Sequence, residues 1–330
     1  MFSGILRKGV RMIVDVLLFV VGVLLLWGGS EFVTRNTGVL ARSLGVKELV
    51  ITILGVSVLS SLPELTISAF AAARGEDSIS LGNVIGSNFV TLTFVTAVCA
   101  LIRPIDIHEE VQSRESSWMI LSSAFVLVLS LDGRLSRSEG IILMLIYIPY
   151  VWNVLKTARV EADDQSSGHL HTSRVRTSVF CVLGIFSVIA GSKIALDSGG
   201  KLGAAFGISP LAMGVLLFAF GTSLPELTIS LSATFKRKSD VTIGEVYASN
   251  IFTQLIVLGI CCLIRPMTVD RALISFAMPL LILAAVVIQV FVTTERKVSR
   301  LEALGLLCFY AIFAVEQFRP LPSIESILGF

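Results

Sequence analysis

The chain has 330 residues, of which 54% are hydrophobic and 15% are charged, and its mean hydropathy is +0.87. A soluble domain carries about 25% charged residues, so this composition excludes an ordinary soluble fold and indicates a membrane protein. The formal net charge of +2, without a basic stripe or an aromatic platform, excludes a nucleic-acid partner.

Apolar segments long enough to cross a bilayer recur along the chain and predict an all-α polytopic membrane protein with ten transmembrane helices. The first segment follows a basic patch but lacks a small-residue cleavage site, so we interpret it as a membrane helix rather than a signal peptide. The predicted spans cover 12–33, 49–73, 79–102, 117–131 and 138–155, and then 177–197, 208–235, 241–264, 272–293 and 300–318.

A polar stretch of mixed charge at 156–176 separates the two groups of five spans and predicts a linker. Its histidines, His169 and His171, are expected to be solvated rather than bound to metal.

The five cysteines lie in apolar segments without CxxC spacing, so they are predicted to be core residues rather than disulfides or zinc ligands.

One nine-residue segment occurs twice, as SSLPELTIS at 60–68 and as TSLPELTIS at 222–230, an offset of 162 positions. Glycines, a Ser-Asn pair and a Leu-Ile-Arg-Pro tetrapeptide repeat at the same offset, which identifies two homologous halves. Five spans are an odd number, so the second half is predicted to cross the membrane upside down. Inverted repeats of this kind place a substrate site near the bilayer midplane. The predicted units are a first repeat at 1–155 with an ion motif at 55–92, and a second repeat at 177–330 with an ion motif at 217–254.

Lysine and arginine residues in the loops predict the orientation of the chain. Fifteen of them lie on the side that holds the linker and ten on the opposite side. The positive-inside rule therefore favours a cytoplasmic linker and external termini in a plasma membrane, although the basic N-terminus opposes this assignment.

Each copy of the repeated segment places a glutamate, Glu64 or Glu226, directly after a proline in an apolar span. A charged side chain at the bilayer centre costs about 2.5–3.5 kcal/mol, so such a residue marks a functional site. The prolines, Pro63 and Pro225, remove a backbone donor each and free carbonyls to act as ligands. Two facing carboxylates repel each other unless a cation lies between them.

Calcium fits this pair because it prefers six to eight carboxylate, carbonyl and hydroxyl oxygens. The absence of sulfur and imidazole near the motif argues against zinc, copper or iron. The Ser-Asn pairs that begin at Ser87 and Ser249 add oxygens at the start of the following helices. Hydroxyls that precede the glutamates are expected to complete the shell, namely those of Ser57, Ser60, Ser61, Thr222 and Ser223.

The Ser-Leu-Pro-Glu segment, followed by Gly-(Asn/Glu)-x-x-(Gly/Ala)-Ser-Asn at 82–88 and 244–250, resembles the cation/calcium antiporter superfamily, and most of all its prokaryotic sodium/calcium exchanger branch. The resemblance covers nearly the whole chain. It implies that both glutamates ligate calcium together with the backbone carbonyls of Ser60 and Thr222. It also implies alternating access, in which the first and sixth helices slide against the other eight. Sodium sites are implied at Ser57, Ser61, Ala219, Ser223, Ser87 and Ser249.

The chain departs from the family pattern in three ways. Thr91 and Thr253 stand where the family commonly has an amide or carboxylate side chain, four residues after each motif serine. Leu59-Ser60 replaces the usual Gly-Thr, and Glu245 replaces the asparagine that the first half has at Asn83. We count Thr91 and Thr253 among the candidate ion-site residues. Losing two strong polar groups leaves the calcium pair intact but changes the charge and hydration of the neighbouring ion site, on which sodium coupling depends.

Sodium/calcium antiport is the function that these observations favour, with the inorganic cations and the lipid bilayer as partners. No cofactor and no obligate protein partner are expected. A proton-coupled calcium antiporter is the alternative, because buried carboxylates can also be neutralised by protons. A channel fits less well, since glutamates flanked by prolines in inverted halves favour an occluding carrier. An intramembrane enzyme lacks its expected Ser/His pair, aspartate pair or HExxH helix. A scaffold or receptor would leave the two glutamates unexplained.

Overall fold

The computed structural model describes residues 2–43, 55–106, 109–160, 174–294 and 296–318, and these are almost entirely helical. The α-helices are α1 Phe2–Ser43, α2 Ser57–Ser60, α3 Leu62–Arg74, α4 Asp77–Phe89, α5 Thr96–Ile102, α6 Glu109–Leu129, α7 Arg137–Val160, α8 Arg174–Phe206, α9 Pro210–Ala212, α10 Ala219–Thr222, α11 Leu224–Phe235, α12 Ser239–Phe252, α13 Leu258–Ile264, α14 Met278–Thr294 and α15 Arg300–Glu316.

Six helical segments among the described residues are long and apolar enough to cross a membrane, and a bent helix pair adds a seventh. The chain is therefore a multi-pass helical membrane protein. The remaining predicted spans correspond to helices that are shorter or interrupted. The six segments are Val10–Asn36, Asp77–Ile102, Arg137–Lys156, Val179–Phe206, Val241–Ile264 and Leu273–Thr294, and the bent pair is Pro210–Thr222 with Leu224–Phe235.

Two of these segments, Asp77–Ile102 and Val241–Ile264, form the centre of the molecule, since 78% of each apolar window is buried. By contrast, only 11% of the window in Val10–Asn36 is buried. The central segments carry small and polar residues that let helices approach closely, whereas the outer ones present large apolar side chains. The central pair therefore holds the polar groups away from lipid.

Both copies of the repeated segment break a helix at the residue before Leu-Pro-Glu. Ser61 lies between α2 and α3 with φ −82° and ψ 11°, and Ser223 lies between α10 and α11 with φ −80° and ψ 7°. The following prolines occupy the first turn of the next helix, where a missing backbone donor is tolerated. In the second half the two helices bend by 43°. The predicted proline breaks are thus present at both glutamates.

Segments of π-helix, which the sequence analysis did not predict, interrupt several spans. They cover Val90–Val95, Met213–Phe218, Thr253–Val257 and Leu273–Ala277. Two of them begin within three residues after the Ser-Asn pairs of the central segments, at Val90 and at Thr253. Because π-helical turns insert an extra residue, they rotate the side chains that follow, and they are frequent at functional sites.

Two short antiparallel ladders join loops of the two halves and are the exception to the all-α prediction. Strand β1, Ile105–Asp106, pairs with β4, Lys297–Val298, and strand β2, Arg134–Leu135, pairs with β3, Met267–Thr268. Each ladder hydrogen-bonds one loop of the first half to one loop of the second. Residues far apart in sequence are thereby held together outside the apolar helices.

Helices α1 and α8 pack closely at glycines that recur at the 162-residue offset. A Cβ atom added to Gly29 would lie 2.8 Å from the carbonyl oxygen of Gly184, and one added to Gly191 would lie 2.7 Å from the carbonyl oxygen of Gly22. Only glycine leaves room for this backbone contact. The repeated glycines of the first and sixth predicted spans therefore form one interface.

The boundaries of the predicted spans differ from the structure at several ends. Helix α1 is longer than the predicted 12–33, and α6 begins before the predicted 117. The predicted linker at 156–176 is helical at both ends, since α7 continues to Val160 and α8 begins at Arg174. Hydrophobicity marks only the apolar part of a helix, so it does not predict the polar turns that extend beyond the membrane. Residues 161–173 lie outside the described residues.

Candidate functional site

Glu64 and Glu226 occupy equivalent places in the first turns of α3 and α11. Each side chain is only 1% exposed. The free backbone N–H groups at a helix N-terminus carry partial positive charge, which favours a carboxylate at this place. The break at the preceding serine therefore supplies each buried glutamate with a compatible backbone environment.

Serines of one half reach the glutamate of the other half. The hydroxyl of Ser61 donates to Oε1 of Glu226 at 3.1 Å, and that of Ser223 donates to Oε1 of Glu64 at 3.4 Å. The two serines are 162 positions apart, and so are the two glutamates, so each contact is the counterpart of the other in the repeat. The structure thus brings together four of the predicted site residues, and it does so across the two halves.

The second oxygen of each glutamate has no hydrogen-bond partner in the described part of the chain. Oε2 of Glu64 and Oε2 of Glu226 are buried without a hydrogen bond among the described residues, and no described lysine or arginine contacts either carboxylate. Leaving a buried acceptor unsatisfied costs about 1–3 kcal/mol, and more for a charged group. The pair therefore has the free oxygens and the uncompensated charge that a cation would satisfy.

A third buried carboxylate, which the sequence analysis did not count among the ligands, belongs to Glu245 of α12. It is 3% exposed. Ser57 donates to its Oε2 at 2.8 Å and Ser60 donates to its Oε1 at 2.7 Å. The signal for this residue was its departure from Asn83 at the repeat offset. Ser57 and Ser60, both predicted ion ligands, therefore hydrogen-bond to a carboxylate that was not among the predicted ligands.

Thr222 is the counterpart of Ser60 in the second half, and its partner, the side chain of Asn83, is neutral. Its hydroxyl lies 3.3 Å from Oδ1 of Asn83 and 3.3 Å from the carbonyl oxygen of Ala219. The carbonyl of Ala219, a predicted sodium ligand, also accepts from the backbone N–H of Ser223 at 3.1 Å. The two halves thus share one arrangement, with an amide in one and a carboxylate in the other.

Ser30 of α1 contacts the carbonyls that the first proline break leaves free, and the sequence analysis did not single it out as a site residue. Its hydroxyl donates to the carbonyl oxygen of Leu59 at 3.0 Å and to that of Ser60 at 3.2 Å. The only sequence signal was the recurrence of this serine as Ser192 in the second half. Helix α1 is therefore in direct contact with the bend that precedes Glu64.

Ser87 and Ser249 hydrogen-bond to the backbone of their own helices. The hydroxyl of Ser87 donates to the carbonyl of Val84 at 3.1 Å, and that of Ser249 donates to the carbonyl of Val246 at 3.2 Å. Within the described part of the chain, neither serine has a hydrogen bond to a glutamate. Their predicted role as sodium ligands remains a prediction, because both hydroxyls keep free lone pairs.

Thr91 and Thr253 hydrogen-bond to the asparagines of the opposite half. The hydroxyl of Thr91 donates to Oδ1 of Asn250 at 2.6 Å, and Nδ2 of Asn88 donates to the hydroxyl of Thr253 at 2.9 Å. All four residues are at most 3% exposed. These reciprocal bonds tie the two central segments together at the start of their π-helical turns.

Replacing Thr91 with alanine is expected to slow transport severalfold without abolishing it. The change leaves the buried Oδ1 of Asn250 without this donor, which costs about 1–3 kcal/mol, while both glutamates stay in place. Thr93→Ala is the matched control, because the buried hydroxyl of Thr93 donates to the carbonyl of Phe89 in its own helical segment and, within the described ranges, to no other group. Initial rates of calcium flux and thermal stability of both variants test this. Equal behaviour of the two variants would contradict a special role of Thr91.

The described residues contain no group of three or more histidine, cysteine, aspartate or glutamate side chains close enough to hold one metal ion. A divalent ion at Glu64 and Glu226 would therefore take its further ligands from hydroxyls and carbonyls. This donor set is hard and weakly charged, which suits a calcium ion that must be released again better than a permanently bound structural metal.

Comparison with known families and proteins agrees with this chemistry. The model of the sodium/calcium exchanger protein family matches the chain twice, at residues 14–156 and 177–319. The inner membrane protein YrbG of Escherichia coli is 30% identical over 286 residues, which cover 84% of this chain and 88% of that protein. The sodium/calcium exchanger MaX1 of Methanosarcina acetivorans is 26% identical over 345 residues, which cover 92% of this chain and 99% of that protein.

The fold also matches solved structures. The sodium–calcium exchanger NCX_Mj, soaked with 100 mM Na⁺ and 10 mM Sr²⁺, superimposes with a TM-score of 0.69 and 28% sequence identity. The match covers 94% of this chain and 100% of that one. Together with two matches to one family model, this places the chain in the sodium/calcium exchanger family, within the prokaryotic branch of the cation/calcium antiporter superfamily.

Proposed function

We propose that this protein is a secondary antiporter that exchanges calcium for sodium across the membrane by alternating access. The observation that carries the proposal is the buried pair of Glu64 and Glu226, each with one oxygen that lacks a hydrogen-bond partner among the described residues. Two negative charges balance one calcium ion or two sodium ions. Occupation by one or the other therefore neutralises the site and permits the transition between its two orientations.

The calcium shell consists of the two carboxylates, the carbonyls of Ser60 and Thr222, and nearby hydroxyls. The serine hydroxyls that now donate to the glutamates, those of Ser61 and Ser223, can rotate and offer lone pairs to a cation instead. The carbonyls beside the proline breaks provide neutral oxygens, because a carbonyl oxygen that accepts one hydrogen bond keeps a second lone pair. Sodium ions use the same region, together with Ser57, Ala219, Ser87 and Ser249.

The architecture that we propose for this function has ten membrane spans in two inverted halves, 1–155 and 177–330. Reciprocal contacts at the 162-residue offset support this division, as in the bonds between Thr91 and Asn250 and between Asn88 and Thr253. The linker at 156–176 faces the cytoplasm and both termini face outward, as the distribution of positive loop charges favours.

Helices α1 and α8 are the moving elements in this proposal. They pack on each other through glycines, and their polar contacts with the rest of the described protein include those of Trp27, Ser30, Ser192 and Asp197. Ser30 contacts the bend before Glu64, and Nε1 of Trp27 donates to the hydroxyl of Thr228 at 2.9 Å. Breaking a few hydrogen bonds of this kind costs little, since each contributes about 0.5–1.5 kcal/mol.

Calcium-45 uptake into proteoliposomes tests the proposal. Vesicles that contain the purified protein and sodium are diluted into sodium-free medium, and a second set receives only a pH gradient. We expect uptake that requires the outward sodium gradient and that is absent from protein-free vesicles. Uptake driven by the pH gradient alone would instead identify a proton-coupled antiporter that uses the same glutamate pair. The absence of calcium flux under both gradients would contradict calcium transport.

A further inference from the structure

We propose that Glu245, together with Ser57 and Ser60, forms a separate monovalent-cation site beside the glutamate pair, and that this site is filled when calcium binds. The inference rests on the proposed function, because it takes Glu64 and Glu226 as the calcium ligands. It adds a second ion to the calcium-bound protein and assigns a role to a carboxylate that only the second of the two repeated motifs contains.

The geometry separates Glu245 from the pair. Both of its oxygens are engaged by hydroxyls at 2.7 and 2.8 Å, whereas Glu64 and Glu226 each keep one oxygen without a partner among the described residues. Moreover, no three acidic side chains of the described chain are close enough to share one metal ion. Glu245 is therefore a neighbour of the calcium ligands rather than a third member of their set.

The charge of Glu245 nevertheless acts on the pair. Ser60 donates to Glu245 and the adjacent Ser61 donates to Glu226, so the two carboxylates are reached from consecutive residues. Repulsion between Glu245 and both other glutamates follows from this proximity. Calcium at the pair compensates two negative charges and leaves the third. One monovalent cation completes the neutralisation, while a second calcium ion would exceed it.

Packing alone does not explain a carboxylate at this position. In the first half, Nδ2 of Asn83 donates to the hydroxyl of Ser68 at 2.9 Å. Glu245 has no such donor, and the hydroxyl of Ser230, which corresponds to Ser68, is buried without a hydrogen-bond partner among the described residues. The carboxylate of Glu245 therefore stands where the first half has an amide donor, and the hydroxyl of Ser230 is left without the hydrogen bond that Ser68 receives.

The oxygens around Glu245 suit an alkali cation. The carboxylate supplies two, and the hydroxyls of Ser57 and Ser60 supply two more once they turn their hydrogens away. Backbone carbonyls at interrupted helices are a known source of further ligands for such ions in transporters. The carbonyl oxygen of Ser57, at the start of the short helix before the break, accepts from the backbone N–H of Ser61 at 3.3 Å and lies 3.1 Å from the hydroxyl oxygen of Ser60, which places it beside the site.

Equilibrium binding of calcium-45 to the purified full chain, at fixed pH and fixed ionic strength, tests the inference with sodium as the probe. For the wild type we expect two phases. Low sodium tightens calcium binding on the order of tenfold, a typical coupling between two sites. High sodium then weakens it by competing for Glu64 and Glu226. At saturating calcium, sodium-22 should remain bound to the wild type.

Glu245→Asn is the decisive variant, because it copies the arrangement of Asn83 and supplies a donor to Ser230. This variant should still bind calcium. Low sodium should no longer tighten its calcium binding, whereas high sodium should still weaken that binding. Glu245→Gln is a second variant in case the first folds poorly. A tightening phase that persists in both folded variants would overturn the assignment to Glu245.

Three other results for the wild type would contradict the inference. Sodium that only weakens calcium binding, with no sodium-22 retained at saturating calcium, would overturn the inference and leave the proposed function intact. When the assay is repeated at a lower fixed pH without sodium, tighter calcium binding in place of the sodium effect would show that the site takes a proton, which also contradicts the inference. A wild type that binds no calcium would overturn the proposed function and this inference with it.

Discussion

Glutamine in place of Glu64 or Glu226 is expected to abolish calcium exchange in the proteoliposome assay. Glutamine keeps the size of the side chain but removes one of the two charges that would balance calcium. Removing one partner of a buried ion pair costs about 3–5 kcal/mol, and a loss of this size lowers affinity by about 100-fold or more. Calcium-45 uptake and equilibrium calcium binding should therefore both fall by at least this factor.

Glu139→Gln is the control for this experiment. Glu139 lies in the first turn of α7, where its carboxylate accepts from the backbone N–H of Ser136. Glutamine can make the same capping bond, so transport should remain near the wild-type level. Full calcium exchange by Glu64→Gln or by Glu226→Gln would show that the pair does not bind the transported ion.

The second large effect is expected for Gly29→Leu, which should disrupt the packing of α1 on α8. A side chain at this position would meet the carbonyl oxygen of Gly184 at 2.8 Å and Cβ of Ser187 at 2.9 Å. Overpacking of this kind costs about 1–3 kcal/mol. The adjacent Ser30, which contacts the bend before Glu64, would be displaced as well. We expect a lower melting temperature in detergent and a calcium exchange rate reduced by at least about tenfold.

Gly28 offers a matched control one residue away. It is exposed on the outer face of α1, and a Cβ atom added there would meet no heavy atom within 4 Å. Gly28→Leu introduces the same side chain and the same helix propensity without a clash, so stability and transport should change little. If both variants lose transport equally, the loss cannot be attributed to the contact between α1 and α8.

Most of the fold prediction was based on the recurrence of long apolar segments along the chain. Hydrophobic runs identified the helices because a membrane requires long apolar segments, and this requirement is local in sequence. The proline breaks at 63 and 225 were also predictable, because proline lacks a backbone donor wherever it stands. The π-helical turns and the two ladders were not predicted. They depend on which helices and loops meet, and no local pattern encodes that contact.

For the candidate site, the sequence by itself determined which acidic residues recur, since Glu64 and Glu226 stand out as charges in apolar segments. Only the tertiary structure decided which side chain faces which. It showed that Ser61 and Ser223 reach across to the opposite half, and that Thr91 and Thr253 bind asparagines. It also placed Glu245 against Ser57 and Ser60, 188 and 185 positions away in sequence. Such contacts arise from the packing of two homologous halves, because the polar groups of each half find their hydrogen-bond partners in the other.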